Sequence, residues 1–182
     1  MKNALILSIF LMFSSAKLFA QNDYIVTLTN DTIFGDIYDD NYNRVYLKQG
    51  DEREGKKFKA AEILSYHKHK KSKTFHRVNR SLEKERYSLL PAIVQGKICV
   101  YEYVVQTGTV ANISYFASKN RKDFFEIKNN AFYGIFGRSN KQKDLLYQLL
   151  KDNEAVAAKY VEENKTSIKN LIKIIEEYNA SN

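Results

Sequence analysis

Cysteine, proline, glycine and tryptophan are all scarce in this 182-residue chain: one Cys, one Pro, seven Gly and no Trp. One cysteine excludes a disulfide-stapled scaffold, and so little glycine and proline excludes collagen-like and low-complexity architectures. About 44% of the residues are apolar, which suffices for a packed core and argues against wholesale disorder. What is abundant is positive charge, with 29 Lys+Arg against 21 Asp+Glu and a net charge of +8.

The first twenty residues read as an address. Met1-Lys2 is a short basic start, and Ala4 to Phe13 is an apolar run interrupted only by Ser8. That length suits the core of a signal peptide and falls short of the roughly 20 residues of a spanning helix. Leu18-Phe19-Ala20 offers a cleavage site after Ala20, and no Cys follows for a lipid anchor. Residues 21 to 182 are one domain by size, and no later apolar stretch reaches spanning length, so no transmembrane segment is expected in the mature chain. In an oxidising compartment the lone Cys99 has no partner in the chain, and its neighbours Ile98, Val100 and Tyr101 make it a small buried hydrophobe.

Hydropathy patterning predicts a strand-rich front and a helical back. Tyr24, Val26 and Leu28 alternate, Thr29-Asn30-Asp31 turns, and Thr32 to Ile37 returns as a hairpin. Arg44 to Lys48 follows as a third strand, the charged loop Gly50 to Gly55 leads to Lys56 to Lys59, and Ile63 to Lys68 and Thr74 to Val78 pair across the basic turn Lys70 to Lys73. The segment Arg80 to Arg86 is charged and irregular, and Pro91 precedes the strongest strand, Lys97 to Val105, which should be central in its sheet. Asn112 to Ser118 and Asp123 to Lys128 complete a β-rich part over 24–128. Over 131–180 the period becomes helical: Leu145, Leu146, Leu149 and Leu150 form one stripe, Val156 to Val161 a second, and Ile168 to Tyr178 a third, with Asn153 and Asn164 as punctuation. The fold class expected is α+β: an antiparallel β-sheet or small open β-barrel followed by a C-terminal helical cap.

Candidate chemistry is thin. His67, His69 and His76 lie within ten residues, and a hairpin through Ser72 would bring three imidazoles together. Lys59, Lys68, Lys70, Lys71 and Lys73 crowd them and would repel a dication, with no carboxylate interleaved, so the segment reads as a solvated basic hairpin and no metal is assigned. Asp39-Asp40-Asn41-Tyr42-Asn43 begins like a calcium loop, but Arg44 stands where the template needs glycine and Gly50 where it needs glutamate; a polar turn is the expectation. No nucleophile elbow, zinc-protease helix or phosphate-cradling loop occurs, and the carboxylate pairs Asp39/Asp40 and Glu176/Glu177 are merely adjacent, so no catalytic residue and no cofactor is assigned.

The candidate binding residues are therefore Tyr66, His67, Lys68, His69, Lys70, Lys71, Lys73, Phe75 and His76, a basic run with aromatic shoulders suited to anionic glycan or lipid head groups. Nucleic acid is the weaker candidate, since an exported protein meets little of it.

The segments Phe19-Ala20-Gln21, Asp23 to Leu28 and Asn30 to Ile37 carry a resemblance to an uncharacterised exported Bacteroidetes domain family. Its members read as a signal ending in Phe-Ala-Gln, a strand, a Gly-Asp-Thr turn and a second strand with an early glycine. Ala61 to Tyr66, Gly96 to Tyr103 and a C-terminal helix ending Glu177-Tyr178-Asn179 are similar too, so the resemblance covers nearly all of the mature chain; Asn30 stands where the family has a turn glycine. The resemblance implies an envelope location, a domain found alone or ahead of an outer-membrane β-barrel, and no catalytic residues. Together these readings give a non-catalytic cell-envelope or secreted binding or accessory module, periplasmic, outer-membrane associated or secreted. It would engage anionic glycan or lipid, or an outer-membrane protein; the rival is a small envelope enzyme with a His or acidic site assembled by the fold.

Overall fold

Short alternating segments separated by Asn, Asp and Gly turns can bury only one face each, and they do so by pairing as antiparallel ladders. The computed structural model describes residues 22–81, 84–129, 140–162 and 167–181. The address over 1–20 with its cleavage site, Asn164, and the opening of the helical part at 131–139 lie outside the described residues. Two units divide the chain, Met1–Phe75 and His76–Asn182.

In the first unit, β1 (Asp23–Thr27), β2 (Thr32–Asn41), β3 (Arg44–Lys48), β4 (Lys56–Lys59) and β5 (Ile63–Lys68) form ladders in the order β5-β1-β2-β3-β4. The β1–β2 turn works with Asn30 in the left-handed region (φ 65), a conformation Asn tolerates through its short polar side chain. Thr27 N donates to Asp31 O at 2.9 Å to close it. Alternation in β1 runs in the phase opposite to Tyr24 and Val26: Ile25 is the fully buried residue. Register pairs Ile25 with Tyr66, Ile37 with Leu47 and Val45 with Phe58, so these buried side chains share one face. Tyr24, Phe34 and Tyr46 lie on the other.

A short 3-10 turn, η1 (His69–Lys71), leads into β6 (Lys73–Asn79), which runs from one unit into the other along the chain. The second unit holds β7 (Tyr87–Val94), β8 (Ile98–Thr107), β9 (Val110–Lys119) and β10 (Phe124–Asn129), then α1 (Asn140–Leu150), α2 (Glu154–Glu162) and α3 (Ile168–Ala180). As expected, β8 is an interior strand, antiparallel to β7 and β9. Strand β7 was not anticipated: Pro91 lies inside it, where the ladder to β8 shifts register between Ala92 and Val94.

Among the described residues α2 and α3 start at side-chain caps. Asn153 Oδ1 accepts from Val156 N at 3.2 Å at the start of α2, and Ser167 Oγ accepts from Asn170 N at 3.2 Å at the start of α3. The buried faces of α1, α2 and α3 (Leu146, Leu150, Val156, Leu171, Ile175) join Ile98, Val100, Ala117 and Ile127 of the sheet in one apolar cluster. At its rim the Asp152 carboxylate accepts from Tyr178 Oη at 2.8 Å and pairs with Lys119 Nζ at 2.7 Å. Cys99 is buried, its Sγ 3.3 Å from Gly96 O. Among the described residues the architecture is thus α+β, mostly antiparallel and open: the ladders end at β4 and β10 and no barrel is closed. No helix among the described residues is long and apolar enough to cross a membrane.

Candidate functional site

The basic segment divides by burial into two sets of side chains. Tyr66 points to the buried face of the first unit, where its hydroxyl donates to Asp40 Oδ2 at 2.9 Å and its ring stacks on Phe75 at 4.5 Å with planes 2° apart. Lys68 Nζ donates to Asp40 Oδ1 at 2.6 Å, and both side chains are only 13% exposed. Burial alone would raise the Asp40 pKa, but the bonds from Lys68 and Tyr66 and the Lys68 charge bring it below its ordinary 3.8. Burial, with the Asp40 charge, pushes the Tyr66 hydroxyl up. Tyr66, Lys68 and Phe75 are therefore structural members of a part-buried network, and Lys68 is neutralised.

Asp40 reaches this network because of a bulge. Ile37 opposes Leu47 but Asp39 opposes Tyr46, so Tyr38 is the extra residue and the alternation changes phase. The Asp-Asn segment that begins like a calcium loop is the β2–β3 turn: Asn41 Oδ1 accepts from Asn43 N at 2.9 Å and Arg44 N at 3.1 Å.

The second set is solvated. His69, Lys70, Lys71 and Lys73 are all exposed, on a turn whose Ser72 is left-handed (φ 47, ψ 39) and donates N–H to His69 O at 2.9 Å. Asp23 pins this turn: one carboxylate oxygen accepts from His69 N at 2.7 Å and the other from Ile37 N at 3.0 Å. Among the described residues Lys70 and Lys73 form no ion pair, and Lys71 lies within electrostatic reach of Asp40.

The histidines go three ways. The alternation that would put His67 and His69 on one strand face stops at Lys68, where the 3-10 turn begins. His67 stacks on Tyr24 at 5.2 Å, 16° from parallel, with Nδ1 2.9 Å from Thr74 Oγ1. His76 belongs to the second unit, buried and edge-on to Tyr101 at 5.9 Å. Burial, helped by the Arg121 charge, lowers its pKa to about 4. Among the described residues no group of three or more His, Cys, Asp or Glu is placed to hold a metal ion.

Residues to which the sequence reading gave no role beside the basic segment complete the picture. Asp23 and Asp40 organise the segment from a distance of many residues along the chain, and Tyr24 and Phe34 continue the His67 ring outward over β1 and β2, with Tyr24 and Phe34 centroids 6.0 Å apart. The alternation of Tyr24 with Ile25 was the available signal for the rings; nothing local marks the two aspartates. Set against protein-family models, curated proteins and solved structures, the chain matches none.

Proposed function

We propose that the protein is a non-catalytic binding module of the cell envelope or its exterior that holds an anionic polymer on the β5–β6 turn. One observation carries the reading. The single lysine of the segment that turns inward, Lys68, is neutralised by Asp40, while Lys70, Lys71 and Lys73 stand together in solvent on a turn held by Asp23. A fixed cluster of like charges is repulsive in the free protein and is relieved by a polyanion, which releases its own counterions on binding. The export address in residues 1–20 supports an envelope or secreted location, where acidic glycans and anionic lipids are the polyanions at hand.

The test is affinity electrophoresis of the protein, purified from its own host, through gels containing dextran sulfate at low and high salt. Retardation at low salt that fades as salt rises is expected, together with tenfold or greater weakening in the triple variant K70A/K71A/K73A. Retardation unchanged by those three substitutions would place the binding elsewhere and end this reading.

A further inference from the structure

We infer that the outward face of the first unit's sheet is a stacking surface for the sugar rings of an acidic polysaccharide, with His67, Tyr24 and Phe34 as its ring row. This deepens, and rests on, the reading of the basic turn as an anion-holding element. Three adjacent strands contribute one ring each at matched register: Tyr24 opposes Phe34 on β2 and His67 on β5. The Tyr24 ring stacks on His67 at 5.2 Å, 16° from parallel, and meets Phe34 edge-on at 6.0 Å, with planes 62° apart, which leaves Phe34 as the exposed ring at the end of the row. Neighbouring positions on the same strands, Ile25 and Tyr66, are buried on the opposite face, so the row is turned away from the core by strand geometry itself.

An antiparallel sheet with one face in solvent ordinarily carries polar residues there. Here Phe34 is 39% exposed, and on β2–β3 the Tyr38 ring, 58% exposed, lies 5.8 Å from Tyr46, over which Arg44 sits at 5.5 Å. Tyr38 is seated rather than loose: a Cβ on Gly55 would come within 2.5 Å of its Cε1, so that glycine makes room for the ring. Rings braced on one another across a sheet face, with Phe34 and Tyr38 exposed and Tyr24 and His67 half-buried behind them, are preorganised, and such patches mark binding faces.

Ligand chemistry follows from shape and charge. A pyranose ring offers a flat face of C–H groups and a rim of hydroxyls, which suits a ring row. A peptide would add at a strand edge or fill a groove, and this row lies on a face. By register the same face carries Arg44, Lys48, Lys57 and Lys59 against Asp36 and Asp39, a cationic excess that continues at the turn following His67. The occupant is therefore a polysaccharide whose sugars bear acidic groups.

The experiment compares polygalacturonate with polyphosphate, which has the charge without the sugar rings, on the whole protein and on F34A, F34W and K70A/K71A/K73A. Expected is weaker binding of polygalacturonate by F34A, about fivefold to tenfold, with polyphosphate binding unchanged. F34W should retain glycan affinity. Because the chain has no other Trp, its fluorescence reports directly on the ring and should change with polygalacturonate and not with polyphosphate, even if F34A folds poorly. Equal affinities of F34A and wild type for the glycan, with both polymers still weakened by K70A/K71A/K73A, would overturn the stacking row and leave the anion reading standing. A Trp response to phosphatidylglycerol vesicles and none to the glycan would overturn it in favour of a lipid surface. Binding of neither polymer would overturn the anion reading itself, and this inference with it.

Discussion

Asn179 near the end of the last helix closes both main-chain groups of Ile98: Ile98 N donates to Asn179 Oδ1 at 2.9 Å, and Asn179 Nδ2 donates to Ile98 O at 2.8 Å. Strand β7 has ended at Val94, whose rung to β8 is with Val100, so the side-chain amide stands in for a neighbouring strand at the start of β8. The fit is close enough that Gly96 has no room for a side chain, since a Cβ there would meet Asn179 Cγ at 2.5 Å.

Asn179→Ala should therefore destabilise the protein by about 2 kcal/mol, one hydrogen bond's worth for each end of the amide in a part-buried seam. Gly96→Ala should cost at least as much, by expelling the amide and by placing a side chain at a φ of 154. The double variant is the sharper measurement, because Ala at 179 removes the atoms that the new methyl would strike. Urea unfolding should show the pair costing clearly less than the sum of the singles; full additivity would mean that the two residues do not meet in solution.

The Asp40 network predicts an ordering of variants. Asp40→Ala leaves the buried Tyr66 hydroxyl without its acceptor and Lys68 without its counter-charge, so a loss of about 3 kcal/mol is expected. Asp40→Asn keeps an acceptor for Tyr66 and should cost about half as much. Equal, small losses in both, read from denaturant midpoints, would show that Lys68 and Tyr66 find other partners when Asp40 is gone.

This network also marks where sequence reasoning stops. The turns, the period-two segments and the change to helical period were legible because Asn, Asp and Gly punctuate them and apolar spacing differs between strand and helix. The position of Asp40 was not, because continuing the alternation of Ile33, Gly35 and Ile37 would place Asp39 inward; one bulged residue, Tyr38, reverses that phase. Strand β7 was hidden by Pro91, which ordinarily signals a boundary. The basic turn was visible as a charge run, but its division into neutralised Lys68 and solvated Lys70, Lys71 and Lys73 depends on which residues the ladder turns inward. Asp23, fixing His69 from 46 residues away, leaves no local trace.

Acid should act on stability in two steps. The folded protein keeps His76 neutral down to about pH 4, whereas the unfolded chain takes up a proton near 6.5. The folded pKa is the lower one, so the unfolded state binds more protons between those values and stability falls as pH drops through that window, by about 3 kcal/mol at most. Asp40 and Asp152 are both held below 3.8, Asp152 first of all by its bond from Lys119, so their contributions are present above that value and fall away as pH drops below it. Unfolding free energies measured from pH 7.5 down to 4 should decline for the wild type and be nearly level for His76→Phe; parallel curves would remove His76 as the cause.

The buried face opposite the helices in the second unit carries an uncompensated group that a single substitution can expose. Tyr101 is fully buried between the rings of His76 at 5.9 Å and Phe124 at 5.7 Å, yet among the described residues its hydroxyl has no oxygen or nitrogen partner, only the Cys99 thiol nearby, and Ser118 Oγ has no partner among them either. Burial, and then the Cys99 thiol nearby, push the tyrosine pKa up, against a smaller downward pull from the Arg121 charge. Desolvating a hydroxyl without a partner costs free energy that the ring contacts must offset. Tyr101→Phe keeps both ring contacts and removes the hydroxyl, so it should raise stability by about 1 kcal/mol, seen as a higher denaturant midpoint with unchanged slope. Ser118→Ala should act in the same direction. A loss of stability in Tyr101→Phe would show instead that the hydroxyl is satisfied in solution, and the double variant with Ser118→Ala would then reveal by its non-additivity whether the two share one partner.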